Sequence, residues 1–325
     1  MTILVTGAAG FIGYHVADRL LKQGEKVIGI DNINTYYDVD LKKARLSGLK
    51  AQSGFHFELM DISDRTSFLK LCQQHTEINS VIHLAAQAGV RYSLQNPFAY
   101  ADANLVGHLA ILEACRALPT LKHLVYASSS SVYGANQKLP FSVSDPVEQP
   151  LSLYAATKRS CELMSYTYSH LFRLPITGLR FFTVYGPWGR PDMAAFLFTK
   201  AILNGEAIPV FNHGDMRRNF TFIDDIVEGI LGCLASPPHQ GNDILHRVYN
   251  IGNNRSEPLM YFIEVLEKSI GKKATLQFEE MQPGDVKETI ADISDTTRDF
   301  GFSPKTNIET GLEQFVDWYR SYYGV

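Results

Sequence analysis

Cysteine is scarce in this chain and scattered. Cys72, Cys115, Cys161 and Cys233 form no CxxC pair, which leaves buried, reduced thiols in a cytosolic protein as the expectation. There is no basic block: the net charge is −4 with both signs interspersed, so a nucleic-acid partner has no electrostatic footprint. No uninterrupted apolar run approaches the ~18 residues of a membrane span. Met1 leads straight into "TILVTGAAG" without a charged, cleavable leader. The ten histidines show no metal-ligand spacing. Internal repeats and low-complexity tracts are missing as well. These absences lead us to expect a soluble cytoplasmic protein without metal, membrane or nucleic acid.

What is present is apolar and ordered. The chain has 325 residues, 45% of them hydrophobic, enough for a large core in one large domain and a smaller one. Short runs rich in Val, Ile and Leu recur in the first half: 2–7, 25–31, 55–59, 80–86, 122–128 and 174–182. Helical periodicities lie between several of them, such as 11–22, 98–118 and 154–171. Buried strands alternating with helices predict a doubly wound α/β fold around a parallel sheet. Beyond about residue 185 the rhythm loosens. The Pro/Gly loop "GPWGRPDM" precedes a helix at 194–204, a short strand at 209–212, and helices from Ile223, over 258–270 and over 308–322. The expected division is residues 1–185 for the sheet domain, with returning segments near 213–252 and 286–300. Residues 186–325 form mainly a second, interleaved domain.

The first strand delivers "TGAAGFIG". Gly7, Gly10 and Gly13 stand three apart where a helix starts. Gly7 permits a tight turn, Gly10 lets the backbone approach a pyrophosphate, and Gly13 lets helix and strand pack closely. The spacing is one residue longer in its first interval than the commoner GxGxxG. Asp31 ends the second strand, where a carboxylate accepts ribose hydroxyls and repels a 2′-phosphate, so NAD is favoured over NADP. Asp61 either caps the next helix or reaches the adenine edge, with Ile62 packing on the ring. Leu84, Ala85 and Ala86 end the fourth strand, where small residues allow close approach to a cofactor.

"YAATK" places Tyr154 and Lys158 four apart on one helical face. Such pairs arise by chance, and the context decides. The pair follows the fifth strand, whose end carries Ser128 to Ser131, and ligands bind at the carboxyl ends of strands in such sheets. TGxxGFIG, the serine-rich strand end followed by VYG, YxxxK and RFFxVYGP together resemble the extended short-chain dehydrogenase/reductase family, in its nucleotide-sugar epimerase branch. The likeness runs from Thr2 to about Asp292. It implies an NAD-binding Rossmann domain, with Phe11, Ile12 and Asn32 joining the cofactor contacts above. It makes Tyr154 the general base for a sugar hydroxyl. A free phenol is a poor base at neutral pH, and Lys158 with the positive nicotinamide favours its phenolate. It also gives Lys158 the nicotinamide ribose, and Ser129 the reacting 4-hydroxyl.

In the related dehydratases and decarboxylases a carboxylate accompanies that hydroxyl. Here Ser129, Ser130 and Ser131 occupy the matching positions, with no group to take a ring proton. The remaining chemistry is oxidation at C4, rotation of the 4-keto sugar, and reduction from its other face. Thr183 stands where many hexose epimerases have Asn. With Arg190 and "QAGVRYS" at Arg91, it resembles the UDP-glucuronate 4-epimerase pattern. Guanidinium binds carboxylate in bidentate fashion, so Ser130, Ser131, Thr183 and Arg190, with Arg91 as a weaker candidate, are expected at the substrate C6 carboxylate. The resemblance also assigns Val210 and Phe211 to uracil, Arg218 to the diphosphate and Asp285 to the uridine ribose, and implies a homodimer through helices 98–118 and 153–171. Asp224 and Asp225 are expected to cap the helix at Ile223. UDP-glucose or UDP-N-acetylglucosamine epimerisation is the nearest alternative. A dehydratase or decarboxylase, or a non-catalytic NAD-binding regulator, stands further off.

Overall fold

The computed structural model describes residues 1–238, 241, 244–282 and 286–325. Its centre is a seven-stranded sheet. Six strands carry our labels: β1 (Thr2–Thr6), β2 (Lys26–Asp31), β3 (Phe55–Leu59), β4 (Ser80–His83), β5 (His123–Ser129) and β6 (Ile176–Phe181). The seventh, His246–Ile251, lies outside β6, and the order is His246–Ile251, β6, β5, β4, β1, β2, β3. All six pairings are parallel. Such a sheet is buried on both faces, and two separate apolar cores cover it. The order reverses between β1 and β4, which opens a crevice at the carboxyl ends of both strands.

Helix α1 (Phe11–Lys22) follows β1, α2 (Val39–Lys50) follows β2 and α3 (Arg65–Gln74) follows β3. The periodicity at 98–118 is not one regular helix. Pro97–Tyr100 leads into a π-turn over Ala101–Val106, and α-helix resumes at Gly107–Ala117. The π-turn places Asn104 so that it accepts from the Gln87 backbone N–H at 2.8 Å and donates to the Gln87 carbonyl and to Thr157 Oγ1. The Leu153–Phe172 helix starts at Ser152, whose hydroxyl accepts from the Ala155 N–H.

In the second half, Ala194–Asn204 and Leu259–Ile270 are helical. The short strand is Ala207–Phe211, paired with Thr275–Glu279. It stops before Asn212 because Asn212 and His213 both take φ near +50°. The helix Ile223–Ala235 has no side-chain cap. Asp225 instead accepts the backbone N–H groups of Lys305 and Thr306, which corrects the capping role expected for it. Among the described residues no helix is long and apolar enough to cross a membrane.

Candidate active site

The crevice at the sheet's switch point is a cleft of about 520 Å³. Its floor is the β1–α1 turn. Gly7 takes φ +74°, and a Cβ there would stand 2.8 Å from the Ala85 nitrogen. A Cβ on Gly13 would overlap the Gly7 carbonyl oxygen. Gly10 caps α1 without a side chain, and no acidic residue follows in the first turn. The leading N–H groups of α1 are therefore available to an anion. A pyrophosphate fits this cradle, since side chains in the turn would fill it.

Asp31 lies at the rim of the turn. One of its oxygens accepts from the Ala9 N–H at 3.0 Å, the other from the Ile33 N–H at 2.8 Å. Burial raises its pKa, partly opposed by those bonds and by Lys42. Asn32 donates to Asp61 at 2.8 Å, and the other Asp61 oxygen accepts from Ser63. The cap of α3 is Asp64, so the alternative that Asp61 caps this helix is withdrawn. Ile62, Leu84, Ala85, Ala86, Phe11 and Ile12 line the same cleft.

Tyr154 and Lys158 reach the cleft from the Leu153–Phe172 helix. Lys158 is buried and donates to the Ala127 carbonyl on β5 at 2.9 Å. Ser129 ends β5. Its hydroxyl accepts from the Ser131 N–H and donates to the Ser131 hydroxyl at 3.1 Å. Ser128 is turned to Glu162, donating to it at 2.7 Å. Ser130, Ser131, Thr183 and Arg190 line the same cleft. Arg190 is already engaged: Nε and Nη2 donate to the two oxygens of Asp192 at 3.0 and 2.6 Å. Tyr36 also donates to Asp192, at 2.9 Å.

Among the described residues, three expected contacts are not assembled here. Arg91 does not line the cleft, and its guanidinium lies over the Phe211 ring, 4.8 Å from the centroid. Phe211 is likewise outside the lining. Val210 is fully buried in the core of its ladder with Phe278. Asp285 falls outside the described residues. Arg218 does line the cleft, donating to the carbonyls of Arg217 and Lys287. Other lining residues gave no signal in the sequence. Asn34, Tyr36 and Lys42 come from the β2–α2 connection and the start of α2, a stretch that reads as polar loop and helix surface. Asn104, outside the lining, holds Gln87 four residues past the end of β4, and its only forewarning was its position on an apolar helix.

Residues 3–252 match the model of the NAD dependent epimerase/dehydratase family. The chain belongs to that family. Within and around it, this chain is 52% identical over 336 residues to Protein CapI of Staphylococcus aureus, covering 99% of each. It is 48% identical to UDP-glucuronate 4-epimerase 1 of Arabidopsis thaliana, covering all of this chain and 78% of that protein. A crystal structure of UDP-glucuronic acid 4-epimerase from Bacillus cereus, in complex with UDP-glucuronic acid and NAD, superposes with a TM-score of 0.91. It is 38% identical, over 99% of this chain and all of that one. The family's fold, a parallel sheet with a glycine-rich first turn, is the one found here.

Proposed function

We propose that this protein is an NAD-dependent nucleotide-sugar 4-epimerase that interconverts UDP-glucuronate and UDP-galacturonate. One observation carries the reading. Tyr154, Lys158 and Ser129 share a single cleft with the glycine cradle and with Ser130, Ser131, Thr183 and Arg190. The names of the relatives and of the similar crystal structure point the same way.

When bound, NAD supplies an acceptor and then a donor of hydride at one nicotinamide carbon. The chain's own groups do the rest. The α1 N-terminus and the turn at Gly7 to Gly13 receive the pyrophosphate, and Asp31 takes the adenosine ribose. Ser129 hydrogen-bonds the sugar 4-hydroxyl, Tyr154 removes its proton and returns it, and Lys158 holds the nicotinamide ribose and the helix register. The hydroxyls of Ser130, Ser131 and Thr183, with Arg190, hold the C6 carboxylate. Oxidation at C4 makes a β-keto acid, and a carboxylate fixed out of line with the carbonyl π system resists loss of CO₂. Arg218, on the cleft lining, is assigned to the diphosphate, and the assignment of Asp285 to the uridine ribose falls outside the described residues.

One observation favours a neutral hexose instead: Arg190 is already held by Asp192 through Nε and Nη2. Proton NMR of the C4 signal, with UDP-glucuronate, UDP-glucose and UDP-N-acetylglucosamine supplied in turn, decides between them. The reading stands if only the uronate epimerises efficiently and Tyr154→Phe abolishes turnover, about 10²-fold or more for a lost acid–base group. It falls if the neutral sugars turn over faster.

A cytoplasmic homodimer belongs to the same proposal. All four cysteines are free and buried, which suits a reducing compartment. Exposed apolar side chains recur on the two paired helical segments: Phe98, Val106 and Leu109 on one, Leu153 and Leu163 on the other. Exposed apolar side chains of this kind suit burial against a second copy in a four-helix bundle.

A further inference from the structure

Arg45 heads the protein's largest fully buried side chains, and none of the chemistry above uses it. It projects from α2 and ties together three segments. Nη1 donates to the Ala9 carbonyl in the glycine-rich turn at 3.0 Å and to the Tyr37 hydroxyl at 2.9 Å. Nη2 donates to the carbonyls of Trp188 at 2.6 Å and Gly189 at 3.1 Å. The carbonyl just upstream, on Pro187, pairs with His15 Nε2 at 2.9 Å. A carbonyl only accepts, so Nε2 carries the proton. Burial lowers the His15 pKa to about 4, so this ring is neutral at physiological pH.

Three successive carbonyls that lead into Arg190 are thus held by side chains from α1 and α2. The held backbone is strained: Trp188 takes φ +60°, a region that disfavours any residue with a Cβ. Such strain persists only where its surroundings over-determine it, and it clusters at functional sites. The Trp188 ring is wedged against Tyr14, Trp318 and Tyr322. Among the described residues, the four acceptors of Arg45 are uncharged, so no carboxylate there offsets the cost of burying this guanidinium. An apolar side chain would fill the same space at less cost. What arginine adds is a rigid planar fork that can hold two loops in one geometry.

We propose that Arg45 is a positioning residue for the uronate end of the substrate. It registers the loop carrying Arg190 against the turn that receives the cofactor, and so sets the distance from carboxylate grip to reacting carbon. The proposal rests on the reading of Arg190 as a carboxylate ligand. Displacements near 1 Å at such a site cost up to about 10²-fold in rate.

The test uses holoenzyme. Arg45→Lys keeps the charge but cannot span three carbonyls. It is expected to raise KM for UDP-glucuronate about tenfold, and to raise CO₂ released per epimerisation about fivefold. Inhibition by free UDP should stay within about twofold. His15→Phe frees only the Pro187 carbonyl and should move the same two readouts about threefold. It serves where Arg45→Lys yields too little folded protein. Arg190→Met is measured alongside. If Arg190→Met shifts both readouts and neither other variant does, Arg45 is only core and the proposal is overturned. Loss of NAD, UDP binding and turnover together, in step with Tm, overturns it too. If Arg190→Met itself leaves both readouts unchanged, the carboxylate reading fails and takes this proposal with it.

Discussion

Glu162 and Arg180 form a bidentate ion pair directly behind the serine strand end, with Nε and Nη2 donating at 2.8 and 3.0 Å. Their side chains are 1% and 3% exposed. Glu162 lies one turn beyond Lys158 on the same helix and also receives Ser128 and Arg159. Arg180 in turn covers the Tyr133 ring at 4.8 Å. The wall that carries Ser129 is therefore anchored by a buried charge pair.

Breaking that pair should be costly. Glu162→Leu leaves Arg180 buried without its partner, and we expect a loss of about 3–5 kcal/mol in unfolding free energy, measured by urea denaturation. Burial alone would raise the Glu162 pKa, but the Arg180, Ser128 and Arg159 contacts outweigh it and hold it below the usual carboxylate value. A depressed folded pKa means stability present above the unfolded value near 4.3 and lost as pH falls through the folded one. The wild-type protein should weaken in that acid window. Glu162→Gln should show a shallower decline there.

Gly13→Ala tests the cradle. The new methyl meets the Gly7 carbonyl, so α1 must move away from β1, at a cost of roughly 1–3 kcal/mol. NAD affinity should drop about tenfold or more, by titration calorimetry, because the helix N-terminus no longer faces the phosphates. An unchanged affinity would remove the pyrophosphate from this turn.

Lys42 donates to Asn34 through both the carbonyl and the side-chain oxygen, at 2.7 Å each. Burial lowers its pKa to about 8, with Asp31 opposing the shift. Its reactivity toward an amine-acylating reagent should therefore rise with a midpoint near pH 8, rather than near the ordinary value of about 10.4. Mass spectrometry of the labelled peptide reads this directly. The folded state releases this proton first, so this group's contribution to stability increases as pH rises from about 8 toward 10.4. Lys42→Met should flatten that gain.

Phe98 and Leu163 are 78% and 53% exposed. A charge at either position should split a dimer built on these helices, since a buried unpaired charge is strongly disfavoured. Light scattering of Leu163→Glu should give the mass of one chain where the wild type gives two. A wild type already of single-chain mass would rule that assembly out.

Much of this protein was legible as sequence. The buried strands announce themselves through continuous Val, Ile and Leu, because a parallel sheet is covered on both faces. Gly7, Gly10 and Gly13 are equally plain, since the close packing of turn, strand and helix tolerates no Cβ. The spacing of Tyr154 and Lys158 sets a common helical face whatever surrounds it. These are local consequences of backbone geometry, and the chain alone determines them.

Other features depend on which distant segments meet. Asp225 sits where a cap is expected, yet it holds Lys305 and Thr306, eighty residues away. His246–Ile251 extends the sheet beside β6, a pairing that local pattern does not encode. Arg91 carries the right charge for a carboxylate and is drawn onto Phe211. Arg45 lies in a polar-looking helix and is fully buried, because four hydrogen bonds from three segments converge on it. Burial and partnership of a charged group are properties of the assembled interior, where desolvation must be offset by specific acceptors. Only the tertiary structure supplies those acceptors, so only it decided which charges serve the cleft and which hold it in shape.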